Sequence, residues 1–125
     1  MRIVGLGVDL ADIDRVASLL ERYPRFADRC FTERERQYAS RFSKPARRYA
    51  ARFAGKEAVM KSLGTGYRQI RWTDVEITGG GKPTVKLSGT AQRRAEKLGV
   101  TEVLVTITHT NTSALVMAIA VGEHP

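Results

Sequence analysis

The sequence predicts one α+β domain, with a mostly antiparallel sheet and a long packed helix. Three observations predict it. Short apolar runs of strand character sit near both ends of the chain. Stretches between them repeat their apolar residues at helical spacing. A glycine-rich segment, Gly79-Gly80-Gly81-Lys82-Pro83, separates two further strand-like runs as a hairpin turn does. The length of 125 residues suits a single domain over 1–125 with a proper core, in which segregated helices and strands form the α+β class.

Met1 to Val8 alternates weakly and is rich in Ile, Val and Gly, so it reads as a strand with Asp9 at or near its end. From Asp12 the period changes: Ile13, Val16, Leu19 and Leu20 predict a helix to about Arg22, stopped by Tyr23-Pro24. Thr32-Glu33-Arg34-Glu35 fits a capping box, in which the hydroxyl and the carboxylate satisfy two amides reciprocally. A short charged helix should follow to about Arg41, and Pro45 suits the first turn of the long helix. That helix carries Arg52-Phe53-Ala54-Gly55-Lys56-Glu57-Ala58-Val59-Met60-Lys61 and runs into a Gly64-Thr65-Gly66 turn. Thr73 to Thr78 and Thr84 to Leu87 are the hairpin strands. Ser88 to Leu98 is helical with Gly99 as its stop, and Glu102 to Thr108 and Ala114 to Val121 are the last strands.

Composition narrows the function. Hydrophobic residues make up 42 %, enough to fold. A single cysteine, Cys30, excludes an intrachain disulfide and suits a reducing cytoplasm. The N-terminus lacks the pattern of a signal peptide, and the longest apolar stretch, Ala114 to Val121, is too short to cross a bilayer, so no membrane association is expected. A net charge of +8 and a pI near 10.2 imply an anionic partner: nucleic acid, a phosphorylated ligand, an acidic protein or a lipid surface. Several enzyme classes drop out. Gly5-Leu6-Gly7 lacks the third glycine of a dinucleotide fingerprint, and Gly81-Lys82 is followed by Pro83 rather than a metal-binding hydroxyl. No zinc-type Cys/His cluster or hydrolase elbow is present.

The remaining chemistry gathers around Asp9, Glu57, Lys61 and His109. Singly, each has an ordinary reading. Asp9 could be a helix N-cap or turn residue. Glu57 could pair with Lys61 one turn on, for only ~0.3–0.5 kcal/mol. His109 could be a core or edge histidine, and Gly64-Thr65-Gly66 a helix stop. Together they make a minimal Mg²⁺-phosphate set. Magnesium takes one or two protein carboxylates and fills its sphere with water and phosphate oxygens. Asp9 and Glu57 are a plausible pair, with Lys61, Arg52 and Lys56 left to neutralise phosphates. Such a set suits chemistry on a pyrophosphate.

These motifs resemble the bacterial holo-acyl-carrier-protein synthases. Gly5 to Leu10 resembles the family's opening motif, Arg52 to Gly66 its central signature, and Thr106 to Thr110 its histidine-containing motif, in family order. Trp72 to Ile77 with Gly81-Lys82-Pro83 resembles its middle hairpin. Gly55 and Thr106 depart from the usual Ala and Ser. The resemblance implies a phosphopantetheinyl-transferase fold, assembled as a cytoplasmic homotrimer with active sites between subunits. It implies transfer of 4′-phosphopantetheine from coenzyme A to a serine of acyl carrier protein, in fatty acid biosynthesis by default. Asp9 and Glu57 would bind Mg²⁺, with Mn²⁺ an alternative. Lys61 would contact the phosphates, and Arg52, Gly64, Thr65 and His109 would help hold coenzyme A. Glu57, a metal-bound water or a water held by Asp9 could take the serine proton, with Glu57 favoured. Arg15 and Arg22, two turns apart on one helix face, and Arg25 beyond them resemble the surface that docks the acidic carrier.

Two other readings compete. A basic nucleic-acid-binding module would place aromatics within basic strands, but the last two predicted strands carry no Lys or Arg, so no nucleic-acid partner is expected. A non-catalytic trimeric scaffold would have no need of Asp9, Glu57 and Lys61 together.

Overall fold

The computed structural model describes residues 1–123. Strand β1 spans Arg2–Asp12, followed by helices α1 (Ile13–Arg22), α2 (Phe26–Cys30), α3 (Glu33–Ala39) and α4 (Pro45–Ser62). A 3₁₀ turn, Trp72–Asp74, leads into the hairpin β2 (Val75–Thr78) and β3 (Thr84–Leu87), then α5 (Gly89–Leu98), β4 (Val100–His109) and β5 (Ser113–Gly122). The five strands form two sheets rather than one. Strands β1-β5-β4 make a three-stranded antiparallel sheet, and β2-β3 stand apart as a hairpin.

Helix α4 is the centre of the molecule and lies across one face of the larger sheet. Ala50, Ala51, Ala54 and Ala58 are buried along it, against Ala114, Val116, Ala118 and Ala120 of β5. These small side chains let backbone approach backbone. The closest approach is to β1: a Cβ on Gly7 would stand 1.9 Å from the Ala58 carbonyl oxygen, and one on Gly5 would stand 1.9 Å from that of Ser62. The Gly5-Leu6-Gly7 alternation is therefore a docking groove for α4. Gly55 serves the same purpose toward the hairpin, since a Cβ there would meet Ile77 Cδ1 at 2.2 Å.

Local signals are realised where the sequence placed them. Thr32 and Glu35 form the full capping box of α3, and Pro45 opens α4. Gly99 ends α5 at φ +74°, a left-handed turn that favours glycine. The strand containing Asp9 differs from expectation. It continues to Asp12, so Asp9 lies within β1 opposite Val116, and Asp12 caps α1 by accepting from the Arg15 amide. A carboxylate need not end a strand when a cation satisfies it from a neighbouring helix. Helix α2 had no periodic signal in the sequence. Its five residues are fixed by tertiary packing of Phe26 against Phe31 and Phe53.

Candidate active site

Two clusters flank α4. The first is built on β1 and the α4 face that turns toward α1. Asp9, Glu57, Arg15 and Phe53 line a pocket of about 470 Å³ with Asp12, Val16 and Ser113. Lys61 donates from Nζ to Asp9 Oδ1 at 3.0 Å and to the Val8 carbonyl at 3.0 Å. The ordinary alternative, a helical pair between Glu57 and Lys61, is not formed: Lys61 reaches across to β1 instead. Glu57, half-buried, has no hydrogen-bond or ion-pair partner among the described residues. Burial, then the Asp9 charge, push its carboxyl pKa up, against the opposing pull of Lys61 and Arg15.

An unpaired, partly desolvated carboxylate beside a second one is a site short of positive charge. Asp9 and Glu57 line this pocket together, so they are carboxylate donors available to a cation bound here. That donor set fits Mg²⁺ better than zinc or calcium.

The second cluster lies across α4, toward β4 and the hairpin. Arg47, Arg48, Arg52, Tyr38, His109 and Gly79 to Gly81 line a cleft of about 480 Å³. Arg52 is only 6 % exposed. It donates from Nη2 to the Gly79 carbonyl at 3.0 Å and stacks its guanidinium over Tyr38. Its Nε is buried with no partner. A buried, unsatisfied N–H in a cationic cleft is a ready anion donor. Burial and the positive charges of Arg47, Arg48 and Arg52 hold His109 below its ordinary pKa, and an arriving phosphate would reverse that.

The candidate residues therefore divide. Asp9, Glu57 and Lys61 come together, as do Arg52 and His109, and the two groups line separate pockets among the described residues. Gly64 and Thr65 line neither. Their amides close α4, with Gly64 N–H on the Lys61 carbonyl at 2.9 Å and Thr65 N–H on that of Met60 at 3.1 Å, while Gly64 sits at φ +70°. Arg15, Arg22 and Arg25 are all exposed.

Lys56 is a correction. Expected to face phosphates, it is fully buried and ion-paired with Glu35 at 2.7 Å. Arg47, Arg48 and Tyr38 were missed. Arg48 and Arg52 are four apart on one helix, a signal that could have been read. Tyr38 is brought in only by the fold. A groove of about 930 Å³ between α2 and the 3₁₀ turn is lined by Trp72, whose ring stacks on Phe53 of the Glu57 pocket.

Residues 5–120 match the profile of the 4′-phosphopantetheinyl transferase superfamily. The chain belongs to that superfamily and groups within it with the holo-[acyl-carrier-protein] synthases. It is 49 % identical to the holo-[acyl-carrier-protein] synthase of Solibacter usitatus, over 98 % of this chain and 99 % of the relative. It is 42 % identical to that of Natranaerobius thermophilus, over 94 % and 96 %. Among solved structures it superposes on the Plasmodium yoelii acyl carrier protein synthase with ADP bound, at a TM-score of 0.89 and 28 % identity, covering 98 % of both chains. The Bacillus anthracis synthase in complex with CoA (3′,5′-ADP) gives 0.79 at 28 % identity, covering 97 % and 98 %.

Proposed function

We propose that this chain transfers the 4′-phosphopantetheine group of coenzyme A to a serine hydroxyl of apo-acyl carrier protein, releasing adenosine 3′,5′-bisphosphate. The observation that carries the reading is the arrangement on α4: an unpartnered carboxylate, Glu57, beside Asp9 and Lys61 on one side, and the Arg52 cleft with its orphaned N–H on the other.

Asp9 and Glu57 would hold Mg²⁺, or Mn²⁺ in its place. When bound, the ion would supply charge neutralisation on the pyrophosphate. Lys61 is positioned by Asp9 and the Val8 carbonyl to contact phosphate oxygens and stabilise the leaving charge. Glu57 is the group we favour to take the serine proton at its carboxylate oxygen, directly or through one water. The serine oxygen bonds to the pantetheine-side phosphorus, and the bond from that phosphorus to the bridging oxygen breaks. Arg52 and His109 hold the anionic nucleotide end, and Gly64 and Thr65 wall the substrate. Arg15, Arg22 and Arg25 dock the acidic carrier.

The assembly we propose is a homotrimer with each site completed by a neighbouring copy. Two observations support it. Leu6, Val8, Leu10, Leu104, Leu115 and Met117 leave the outer face of the three-stranded sheet apolar and exposed. The two clusters also stand apart within one chain. Among the described residues no helix is long and apolar enough to cross a membrane, and we place the enzyme in the cytoplasm.

The test is direct. Protein, Mg²⁺, coenzyme A and apo carrier should yield a carrier heavier by about 340 Da, the mass of the group moved. No mass gain with several apo carriers would sink the reading.

A further inference from the structure

Lys56 and Glu35 form a buried pair that the chemistry above does not use. Lys56 is 0 % exposed and Glu35 2 %. Burial pulls the lysine pKa down, and the Glu35 charge opposes that pull. Its ammonium donates to Glu35 Oε1 at 2.7 Å, to the Trp72 carbonyl at 2.9 Å and to the Val75 carbonyl, which uses all three protons. Glu35 is equally engaged. Oε1 also accepts from the Thr32 amide at 2.9 Å, and Oε2 accepts from the Ile77 amide at 3.0 Å.

The contacts follow a definite path. Lys56 lies one turn after Arg52 on α4. Through Val75 and Ile77, the pair grips the first and third residues of the strand that leads into the Gly79–Gly81 turn. That turn closes the path, because the Gly79 carbonyl accepts from Arg52. Tyr38, the ring under the Arg52 guanidinium, is three residues after Glu35 on α3. So α3, α4 and the hairpin, which together wall the cationic cleft, meet at one ammonium and one carboxylate. A buried pair is poor evidence of stability, since apolar residues of similar volume often serve as well. Its value here is directional: each of its hydrogen bonds fixes an angle that an apolar contact would leave free.

We infer that Lys56 and Glu35 are positioning residues that set the hairpin and the Arg52 guanidinium for the nucleotide end of coenzyme A. The inference rests on the proposed transferase reading only for the identity of that ligand.

The experiment compares the parent enzyme with Lys56→Met, Glu35→Gln and the double variant Lys56→Met/Glu35→Met. It measures thermal midpoint, calorimetric Kd for adenosine 3′,5′-bisphosphate, and KM for coenzyme A and for apo carrier. The single methionine variant strands a buried carboxylate and should lose stability. The double variant should recover the midpoint without recovering the site. Its Kd for the bisphosphate and its KM for coenzyme A should remain about tenfold above the parent, while the KM for carrier stays within twofold. Glu35→Gln keeps the shape and one acceptor, so it provides a folded variant in which the same split is expected at smaller size. A double variant that regains both stability and parental Kd would show the pair to be merely structural and overturn the inference. So would a folded Glu35→Gln variant with unchanged KM for coenzyme A. A parent enzyme that binds the bisphosphate but transfers nothing would instead count against the transferase reading and leave the Kd comparison intact.

Discussion

Lys61 Nζ lies 3.0 Å from Asp9 Oδ1, across 52 positions of sequence, although Glu57 is only one helical turn away on its own helix. The pairing leaves Glu57 with no cation in direct contact, although Lys61 and Arg15 still act on it from nearby.

Replacing Lys61 by Ala should lower kcat by about 10²-fold, the scale of losing one charged donor to a developing oxyanion. Stability should fall as well, because Lys61 is 53 % exposed but Asp9 only 16 %, so the variant leaves a largely buried carboxylate without its cation. Steady-state kinetics and a melting curve on the same preparation check both halves.

Glu57→Gln should abolish most transfer and, without Mg²⁺, raise the thermal midpoint slightly at neutral pH. The Glu57 pKa is raised in the folded state by burial and Asp9, so its ionised form costs stability above that pKa. The stability gain of the variant should be fully present above the raised value and shrink as the pH falls through it toward the ordinary carboxylate range. Mg²⁺ should stabilise the parent and not the variant. Melting curves across pH, with and without the metal, decide it.

His109 should make nucleotide binding proton-linked. Burial and Arg47, Arg48 and Arg52 depress its pKa below 6.5. A bound phosphate favours the protonated ring, so binding takes up a proton and affinity for adenosine 3′,5′-bisphosphate rises as pH falls through that region. Calorimetry in buffers of different ionisation heat should show this uptake in the parent and not in His109→Ala. Equal uptake in both would remove His109 from the site.

Gly7→Ala should destabilise the fold by at least the ~1–3 kcal/mol of an overpacked core, because the obstacle is the Ala58 backbone rather than a movable side chain. Denaturant unfolding checks it, and a variant as stable as the parent would contradict the close β1–α4 contact.

Cys30 should be inert. Burial pushes its thiol up to about 11, with Lys56 and Arg29 only partly offsetting it. Iodoacetamide at pH 8 should leave the native protein unlabelled and modify it in urea.

The sequence alone determined what depends on neighbours along the chain: the capping box at Thr32 and Glu35, the proline start of α4, the Gly99 stop, the hairpin and the three ordered motifs. It also named Asp9, Glu57, Lys61, Arg52 and His109 as the chemistry-bearing residues. Tertiary structure decided how they are partnered. Lys61 turned to Asp9 because β1 docks through Gly5 and Gly7 within reach of α4. Lys56 left the surface because Glu35 and two backbone carbonyls meet it inside. Arg52 and His109 came together, apart from Glu57, because α4 crosses the sheet from β4 to β1. The physical reason is the range of each effect. Caps and turns are set by a few consecutive residues, whereas the choice of ion-pair partner and the desolvation that shifts a pKa depend on which segments pack together, and local pattern does not encode that.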